Sequence, residues 1–250
     1  MTATETLTEA PVLELRSVTK RYGGITAVDS VSLAVPAGSI VALVGDNGAG
    51  KSTISKIIAG AVHPDEGEVL VGGKLRASID PTEVRRSGIE VVYQDLALAP
   101  NLDVATNLFL GRERVRAFGW LDRAGMRREA RDLLAQLDVY VPSLSTKVER
   151  LSGGQRQAIA IARATHWARS LVVMDEPTAA LGLRETRKVE ELVVALRKRG
   201  LAVLIVSHNL DQVFRLSDKI LVMRRGNLVA QFDTSATTTE EVVSTITGVM

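Results

Sequence analysis

The stretch GDNGAGKST, residues 45–53, limits the possible folds of this chain more than any other feature. It follows the apolar run SIVALV, which has the pattern of a buried strand, and it leads into STISKIIAG, which can continue as a helix. Its glycines allow the backbone to curl so that successive N–H groups face one point, where the helix N-terminus adds positive charge. The stretch therefore predicts a phosphate-binding loop between a strand and a helix.

The side chains of this loop match the pattern G-x-x-x-x-G-K-[ST], which is the P-loop motif. In that role Lys51 reaches the β- and γ-phosphates as a point charge, and the Ser52 hydroxyl is a ligand of Mg²⁺. A chance glycine-rich turn is the alternative, but it would not require strand, loop, Lys-Ser pair and helix in this order. The predicted nucleotide-binding residues are Gly45, Asp46, Asn47, Gly48, Ala49, Gly50, Lys51, Ser52 and Thr53.

A second apolar strand, LVVMD at 171–175, ends in Asp175, and a second acid, Glu176, follows it directly. Both faces of this strand are apolar, which suits the centre of a parallel sheet. In such sheets ligands bind at the ends of the strands. We expect Asp175 to hold Mg²⁺ through water and Glu176 to act as the general base on the attacking water. The alternative is that both acids only cap the turn before Pro177.

A third motif, LSGGQRQ at 151–157, predicts a helix start. Ser152 and Gln155 have the spacing of a capping box. Yet Gly153 and Gly154 lie between them, and each glycine inside a helix costs about 1 kcal/mol relative to alanine. A helix N-terminus without side-chain bulk can instead accept an anion, because its amides approach closely and Ser152 adds a hydroxyl.

The remaining periodicities predict strands alternating with helices, which indicates a mainly parallel α/β sheet. Seven arginines between 112 and 131 are interpreted as a solvated helical face, in preference to a phosphate-binding patch. A hairpin is expected at 218–233, turned at Gly226-Asn227. The other predicted elements are strands at 12–18, 39–45, 88–94, 171–175 and 201–207, and helices at 81–86, within 103–169, at 183–198 and after Thr238.

The composition limits the classes of protein to which this chain can belong. The chain has 250 residues, 31 basic and 29 acidic side chains and no cysteine. The small net charge gives no support to nucleic-acid binding, and the absence of cysteine excludes disulfides and Cys-ligated zinc or iron–sulfur clusters. The apolar runs are far shorter than the roughly 18 residues of a membrane helix. Residues 1–11 are predicted to be a disordered leader, and the protein is predicted to be cytoplasmic.

Together, the P-loop, the Asp-Glu strand end and LSGGQ resemble the nucleotide-binding subunit of an ATP-binding cassette (ABC) transporter, over residues 12–248. The resemblance implies an α/β P-loop NTPase fold with a mainly parallel sheet core, an N-terminal antiparallel β part and an inserted helical subdomain. It implies one ABC ATPase domain over 12–250, with its core at about 12–95 and 168–250 and the helical subdomain at about 96–167.

In this family two subunits pack head to tail, and the LSGGQ of one closes on the γ-phosphate held by the P-loop of the other. The resemblance therefore implies that Ser152, Gly153, Gly154 and Gln155 bind ATP in trans. The alternative is a capping box and nothing more. The implied cofactors are ATP and Mg²⁺.

Three more positions match family residues one at a time. Tyr22, in KRYGG, matches the aromatic residue that stacks on adenine. Gln94, just after the 88–93 strand, matches the glutamine that senses Mg²⁺ and the γ-phosphate and joins the two subdomains. His208, directly after an apolar strand, matches the histidine that contacts the γ-phosphate. One position departs from the family: Gly182 stands where an aspartate usually reaches across the dimer, which puts that contact and the full hydrolytic rate in doubt.

Residues 95–113, with EPTAALG, resemble the ATPases of bacterial monosaccharide importers of the ribose, xylose and fructose type. This implies a second cassette subunit, membrane permease subunits and, indirectly, a substrate-binding protein, with the chain on the inner face of the membrane. Five apolar residues of this segment either dock the permease or form subdomain core: Leu96, Leu98, Leu102, Leu108 and Phe109. A soluble cassette ATPase of iron–sulfur assembly is the alternative function. A non-hydrolysing switch would lack Glu176 or His208, and both are present.

Overall fold

The computed structural model describes residues 10–76, 80–179 and 181–248. Residues 1–9 of the predicted leader lie outside these described ranges. Within these ranges no helix has the length and apolar character needed to cross a membrane. The strands are β1 (Leu13–Tyr22), β2 (Ile25–Val35), β3 (Ile40–Val44), β4 (Glu66–Val71), β5 (Lys74–Leu75), β6 (Ile89–Val92), β7 (Leu171–Asp175), β8 (Ala202–Val206), β9 (Lys219–Arg224) and β10 (Asn227–Asp233).

The helices connect these strands and cover the larger sheet. They are α1 (Lys51–Ile58), α2 (Pro81–Arg86), α3 (Val104–Phe109), α4 (Arg123–Gln136), α5 (Gly153–Trp167), α6 (Leu183–Lys198), α7 (Leu210–Leu216) and α8 (Thr239–Thr247). The helix predicted at 183–198 is confirmed. Its apolar stripe is buried, because Val189, Leu192, Val193 and Leu196 recur at helical spacing on one face.

Two sheets organise the fold. The larger has the strand order β10-β9-β3-β8-β7-β6, and all its pairings are parallel except that of β9 with β10. The smaller has the order β2-β1-β4-β5 and is antiparallel throughout. Every residue of β3 and β8 is buried, as expected for central strands covered on both faces. The predicted combination of a mainly parallel core and an N-terminal antiparallel part is confirmed.

Helices α3, α4 and α5 lie between β6 and β7 in the chain and pack against the larger sheet. Leu108 and Phe109 of α3 and Ile159 of α5 are fully buried in one cluster that also contains Val172 and Met174 of β7. Leu96 and Leu98 are half-buried against the same cluster. Leu108 and Phe109 are therefore core residues, as one of the two sequence interpretations stated.

The prediction of a continuous helical character is wrong for residues 112–122. Val115 pairs with Leu121 in an antiparallel bridge, and the Arg116 amide donates to the Trp120 carbonyl at 2.7 Å. Phe118 has φ +64°, and its side chain is 98% exposed. A left-handed residue cannot continue a helix, so a narrow hairpin separates α3 from α4.

The hairpin of β9 and β10 turns one residue earlier than predicted. Arg225 and Gly226 have φ +48° and +85°, whereas Asn227 begins β10. Two consecutive residues with positive φ are typical of the tight turns whose twist matches that of paired strands.

Candidate active site

The ends of four neighbouring strands bring the predicted functional residues together. In the sheet order β3-β8-β7-β6, the P-loop follows β3, His208 follows β8, Asp175 and Glu176 end β7, and Gln94 follows β6. Because these strands are parallel, their carboxyl ends share one edge of the sheet. The register places Val206 of β8 opposite both Leu43 of β3 and Asp175 of β7.

The P-loop can form its cradle only with glycine at two positions. Gly45 has φ +148°, and a Cβ there would overlap the carbonyl oxygen of Met223 in β9. Gly50 has φ +103°, and a Cβ there would lie 2.5 Å from the carbonyl oxygen of Ala27 in β2. Side chains other than hydrogen are excluded by both backbone conformation and space. The loop is thus held between the two sheets.

Lys51 lies inside the loop at the first position of α1. Its ammonium donates hydrogen bonds to the carbonyls of Gly45 at 2.6 Å and Asp46 at 2.9 Å. The residue is only 8% exposed, and burial lowers its pKa, while the charges of Glu176 and Asp175 oppose that shift. A cation is therefore anchored where the loop amides converge.

Glu176 and His208 form a direct pair at the edge of the sheet. The Nδ1 atom of His208 lies 2.8 Å from Oε1 of Glu176. Glu176 has φ +51°, a conformation that costs energy for a non-glycine residue, and its amide donates to the Val206 carbonyl at 2.8 Å. Backbone strain at a glutamate between two strand ends is an observation that points to function.

Asp175, the preceding residue, is half-buried at the end of β7. Burial raises its pKa, and the nearby Glu176 carboxylate raises it further, while Lys51 and Lys56 act in the opposite direction. A half-buried carboxylate beside a second acid forms a site that attracts cations.

Gln94 and Glu176 line one cavity of about 440 Å³, together with Gly153 at the start of α5. The cavity is bounded by the loop after β6, the N-terminus of α5 and the segment after Pro177. None of the described P-loop residues lines it. The structure therefore brings Gln94, Glu176 and Gly153 together around one cavity, which the chain's own P-loop does not line.

Tyr22 is the last residue of β1, at the turn that leads into β2. It pairs with Ile25 across the tight turn, and its side chain is 46% exposed. The Lys20 ammonium lies 5.6 Å from the centre of its ring. An exposed aromatic face beside a cation is available for stacking on a planar ligand.

The capping box predicted at Ser152 and Gln155 is confirmed. The Gln155 amide donates to the Ser152 hydroxyl at 3.2 Å, and the Ser152 amide donates to the Gln155 side chain at 3.1 Å. Gly153 and Gly154 occupy the first turn of α5, whose N–H groups have no acceptor within the helix.

The two glycines of this turn differ in what surrounds them. A Cβ at Gly153 would have only Leu181 nearby, at 3.8 Å, whereas a Cβ at Gly154 would lie 3.0 Å from the Cβ of Glu185 in α6 and closer still to its Cγ. Gly154 is thus required for the packing of α5 on α6. Gly182 caps α6 without any side-chain hydrogen bond to its amides, and the adjacent Ala180 lies outside the described residues.

Gln212 is a residue of this region that the sequence did not indicate. It is fully buried in α7, and its Oε1 atom accepts from the Thr178 hydroxyl at 3.1 Å and from the Ser207 hydroxyl at 3.5 Å. Thr178 follows Glu176 by two residues, and Ser207 precedes His208. Gln212 therefore connects the segments on which the Glu176–His208 pair depends; no sequence pattern marks it, because the contact spans three elements.

The comparisons with known proteins agree with this geometry. The family model described as ABC transporter matches residues 28–179, more than half of the chain. The chain is 44% identical to the fructose import ATP-binding protein FrcA of Rhizobium meliloti, covering 97% of this chain and 96% of that protein. It is 44% identical to the xylose/arabinose import ATP-binding protein XylG of Sulfolobus acidocaldarius, covering 95% and 94%.

A third relative is longer. The ribose import ATP-binding protein RbsA 2 of Rubrobacter xylanophilus is 45% identical, and the match covers 96% of this chain but 46% of that protein. These relatives give no support to the iron–sulfur assembly alternative.

Solved structures give the same result. The ADP conformation of an ATP-binding cassette of an ABC transporter superposes with a TM-score of 0.77 at 26% identity, covering 95% of both chains. The dimeric structure of a post-hydrolysis state of a cassette bound to ADP and Pi has a TM-score of 0.76 at 27% identity, covering 89% of this chain and 98% of that one. The chain therefore belongs to the family of ABC transporter ATP-binding proteins, and it is an ATPase.

Proposed function

We propose that this chain hydrolyses ATP to power the import of a monosaccharide through a membrane permease. The observation that carries the proposal is the shared edge of the sheet, where a phosphate loop, a glutamate–histidine pair and a glutamine follow four adjacent strands. The sugar is inferred from relatives of nearly equal length whose names specify fructose and xylose/arabinose import. The chain itself contacts ATP, and the permease would contact the sugar.

ATP binding is assigned to the P-loop and to Tyr22. The amides of residues 45–50 and the N-terminus of α1 would hold the phosphates, with Lys51 placed against the β- and γ-phosphates. Tyr22 would stack on adenine. Phosphate oxygens would replace the Gly45 and Asp46 carbonyls as acceptors for the Lys51 ammonium, so the buried cation keeps its partners when the nucleotide enters.

The residues around the γ-phosphate suit Mg²⁺. Ser52, Asp175 and Gln94 offer a hydroxyl, a carboxylate and an amide oxygen, which are the hard ligands that Mg²⁺ prefers. No group of three acidic or histidine side chains in the described residues could hold a metal by itself. This fits Mg²⁺, which is commonly held by one or two protein groups together with water and substrate phosphates, Asp175 acting through water. When bound, Mg²⁺ would neutralise charge on the phosphate oxygens.

Hydrolysis is assigned to Glu176 as general base. Its carboxylate would accept a proton from water as the water oxygen bonds to the γ-phosphorus, and the bond to the bridging oxygen of ADP would break. His208 would hold the Glu176 carboxylate through their 2.8 Å contact and reach the γ-phosphate. Gln94, in the same cavity as Glu176, would orient the water.

Pairing of two cassettes would complete the site. Ser152, Gly153, Gly154 and Gln155 would cap the γ-phosphate bound by the partner's P-loop, using the amides of Gly153 and Gly154, which have no acceptor within α5. Two observations support this: the chain's own P-loop residues are absent from the cavity beside Gly153, and a bacterial ABC transporter cassette that is 28% identical to this chain, with a TM-score of 0.77, has a dimeric structure. A second copy of this chain is the simplest partner.

The permease would dock in a groove of about 280 Å³ between α2 and β6 on one side and α3 and α5 on the other. Tyr93, Leu110, Arg112 and Trp167 line it, giving aromatic and arginine side chains in a concave surface. The chain would then lie on the cytoplasmic face of the membrane, bound through the permease, and a substrate-binding protein would deliver the sugar from outside.

The catalytic assignment is tested by Glu176→Gln, which keeps the shape of the side chain but removes the base. MgATP turnover by the purified chain should fall by about 100-fold or more, while binding of a fluorescent ATP analogue persists. Glu191→Gln, at an exposed position of α6, is the matched control and should leave turnover unchanged. Equal turnover by Glu176→Gln and the unmodified chain would exclude Glu176 as the base.

The pairing is tested by light scattering on the same variant. Glu176→Gln in saturating MgATP should double its mass, and a second substitution, Ser152→Phe, should abolish the doubling by filling the phosphate approach. A monomer under both conditions, with ATP bound, would contradict pairing of the isolated chain. The permease partner is tested by co-purification of the tagged chain with a multi-span membrane protein from its own cells.

A further inference from the structure

The loop after β6 contains an unusual backbone segment. Leu96 and Ala97 are consecutive non-glycine residues with φ +62° and +45°. L-residues rarely adopt this conformation even singly, because the Cβ crowds the carbonyl oxygen. Only Asp95 separates these two residues from Gln94, so their conformation affects the backbone that carries the Gln94 side chain. We call residues 93–98 the Gln94 loop.

One side chain from another element holds this strained turn. Arg163 of α5 donates Nη1–H to the Ala97 carbonyl at 2.8 Å and Nη2–H to the Leu96 carbonyl at 3.1 Å. The planar guanidinium presents parallel N–H groups, which suits two neighbouring carbonyls in a way that a lysine ammonium does not. In the described chain Arg163 has no carboxylate within salt-bridge distance, so the Gln94 loop is its hydrogen-bonding partner.

The guanidinium of Arg163 is partly withdrawn from water. Arg163 lines the 280 Å³ groove with Glu90 and Arg112, which form a salt bridge with each other at 2.5 Å. Burial lowers the pKa of Arg163, with Glu90 opposing the shift and Arg112 adding to it. A guanidinium withdrawn from water costs free energy unless its N–H groups are satisfied, so the two carbonyl contacts are strongly favoured once α5 is in place.

The helix that carries Arg163 also carries the phosphate-capping turn. Gly153 begins α5, and Arg163 follows ten residues later, about 15 Å along the axis at 1.5 Å per residue. A helix of this length moves as a rod. Helix α5 therefore links the turn at Gly153 to the carbonyls of the Gln94 loop, whose other end is fixed to β6.

We propose that Arg163 is a positioning residue that ties the Gln94 loop to α5 and so holds Gln94 in the cavity that Glu176 also lines. The proposal rests on the proposed function in one respect, that Gln94 acts on ATP. Arg163 itself touches neither nucleotide nor metal. Arg163 acts on the position of Gln94. Substitution of Arg163 should therefore change the rate of ATP turnover and leave the affinity for ATP unchanged.

The tether is tested by hydrogen–deuterium exchange on the full chain without nucleotide. Arg163→Gln should raise exchange of the amides in residues 94–98 by about tenfold, the change expected when a local opening free energy falls by about 1.4 kcal/mol, and leave β3 and β7 unchanged. Arg163→Lys, which keeps the charge but not the fork, should give an intermediate rise. Arg131→Lys, an exposed arginine on α4, is the matched control. Unchanged exchange in the Gln94 loop of Arg163→Gln would overturn the proposal.

The positioning role is tested by kinetics and by relief of strain. Arg163→Gln should lower kcat by about tenfold with KM for MgATP within about twofold of the unmodified value. Adding Ala97→Gly, which permits positive φ without strain, should restore part of both kcat and protection. A general packing defect in α5 would not be corrected by a glycine in the Gln94 loop, so failure of this rescue would overturn the positioning role, as would loss of affinity with unchanged kcat.

The outcome is separable from that of the proposed function. The exchange experiment uses no nucleotide, so the tether stands or fails even if Glu176→Gln retains turnover. If Arg163→Gln does not fold, Arg163→Lys and the single variant Ala97→Pro, which cannot adopt positive φ, supply the same comparison; unchanged exchange in both would overturn the tether.

Discussion

The imidazole of His208 lies 2.8 Å from the carboxylate of Glu176, although the two residues are 32 positions apart in the chain. The contact exists because β7 and β8 are adjacent and parallel, so that the residues just beyond their ends meet. Glu176 makes this contact from a left-handed backbone conformation, with φ +51°. The Glu176 carboxylate is thus held in place before ATP binds, and its orientation depends on the contact with His208.

The first prediction concerns His208→Ala. Without the imidazole the Glu176 carboxylate gains rotational freedom, and we expect kcat to fall by about 10- to 100-fold, because correct placement of a reacting group is worth at least this much. His63→Ala, at an exposed position after α1, is the control. Steady-state ATPase assays check the result. A loss confined to KM would show that His208 serves binding and not the base.

The second prediction links stability to pH through Asp175. Its pKa is raised in the folded state by burial and by Glu176, so folding favours the protonated form. The sign follows directly: the free energy of unfolding is greatest below the unfolded pKa and decreases as pH rises through the folded pKa. At pH 7.5 Asp175→Asn, which removes the buried charge, should raise Tm by about 2–4 °C.

The gain from Asp175→Asn should shrink when thermal melts are repeated at a lower pH, because progressive protonation of the native carboxyl removes the same charge. Asp132→Asn, at an exposed position, is the control and should not change Tm at either pH. A Tm gain that grows towards acid would contradict the assigned direction.

The third prediction separates the two glycines of the α5 turn. Gly154→Ala should destabilise the chain by about 1–3 kcal/mol, because its methyl group meets the Glu185 side chain in α6. Gly153→Ala has open space and should be neutral or stabilising by up to about 1 kcal/mol. Urea unfolding checks both. Glu185→Ala added to Gly154→Ala should recover most of the loss; an additive double variant would mean that this contact is not the cause.

The fourth prediction concerns Gln212→Leu. The substitution keeps the volume but leaves the hydroxyls of Thr178 and Ser207 without their shared acceptor. We expect a loss of about 1–3 kcal/mol in the free energy of unfolding together with a lower kcat. Gln231→Leu, on the exposed face of β10, is the control. Reduced stability with unchanged turnover would show that Gln212 supports the fold but not the Glu176–His208 pair.

Much of the fold could be predicted because its elements carry local signals. The apolar runs of β3, β7 and β8 are fully buried strands, and α6 has the predicted bounds because its stripe and Gly200 mark them. The prediction of a helix failed for residues 112–122. Charged residues at mixed spacing are compatible with a helix, and no local pattern indicated that Phe118 would adopt positive φ. The roles of Tyr22, Gln94 and the LSGGQ residues stay predictions.

The sequence by itself determined the strand–loop–helix of the P-loop, the acid pair at the end of β7 and the capping box of α5, because each depends on residues within about ten positions of one another. Only the tertiary structure decided that Glu176 contacts His208, that Gly154 makes room for Glu185 and that Arg163 holds the strained Gln94 loop. These contacts join residues between 31 and 67 positions apart. They are set by the order of parallel strands and by the packing of α5 against its neighbours. Neither of these produces a periodic pattern in the amino-acid sequence.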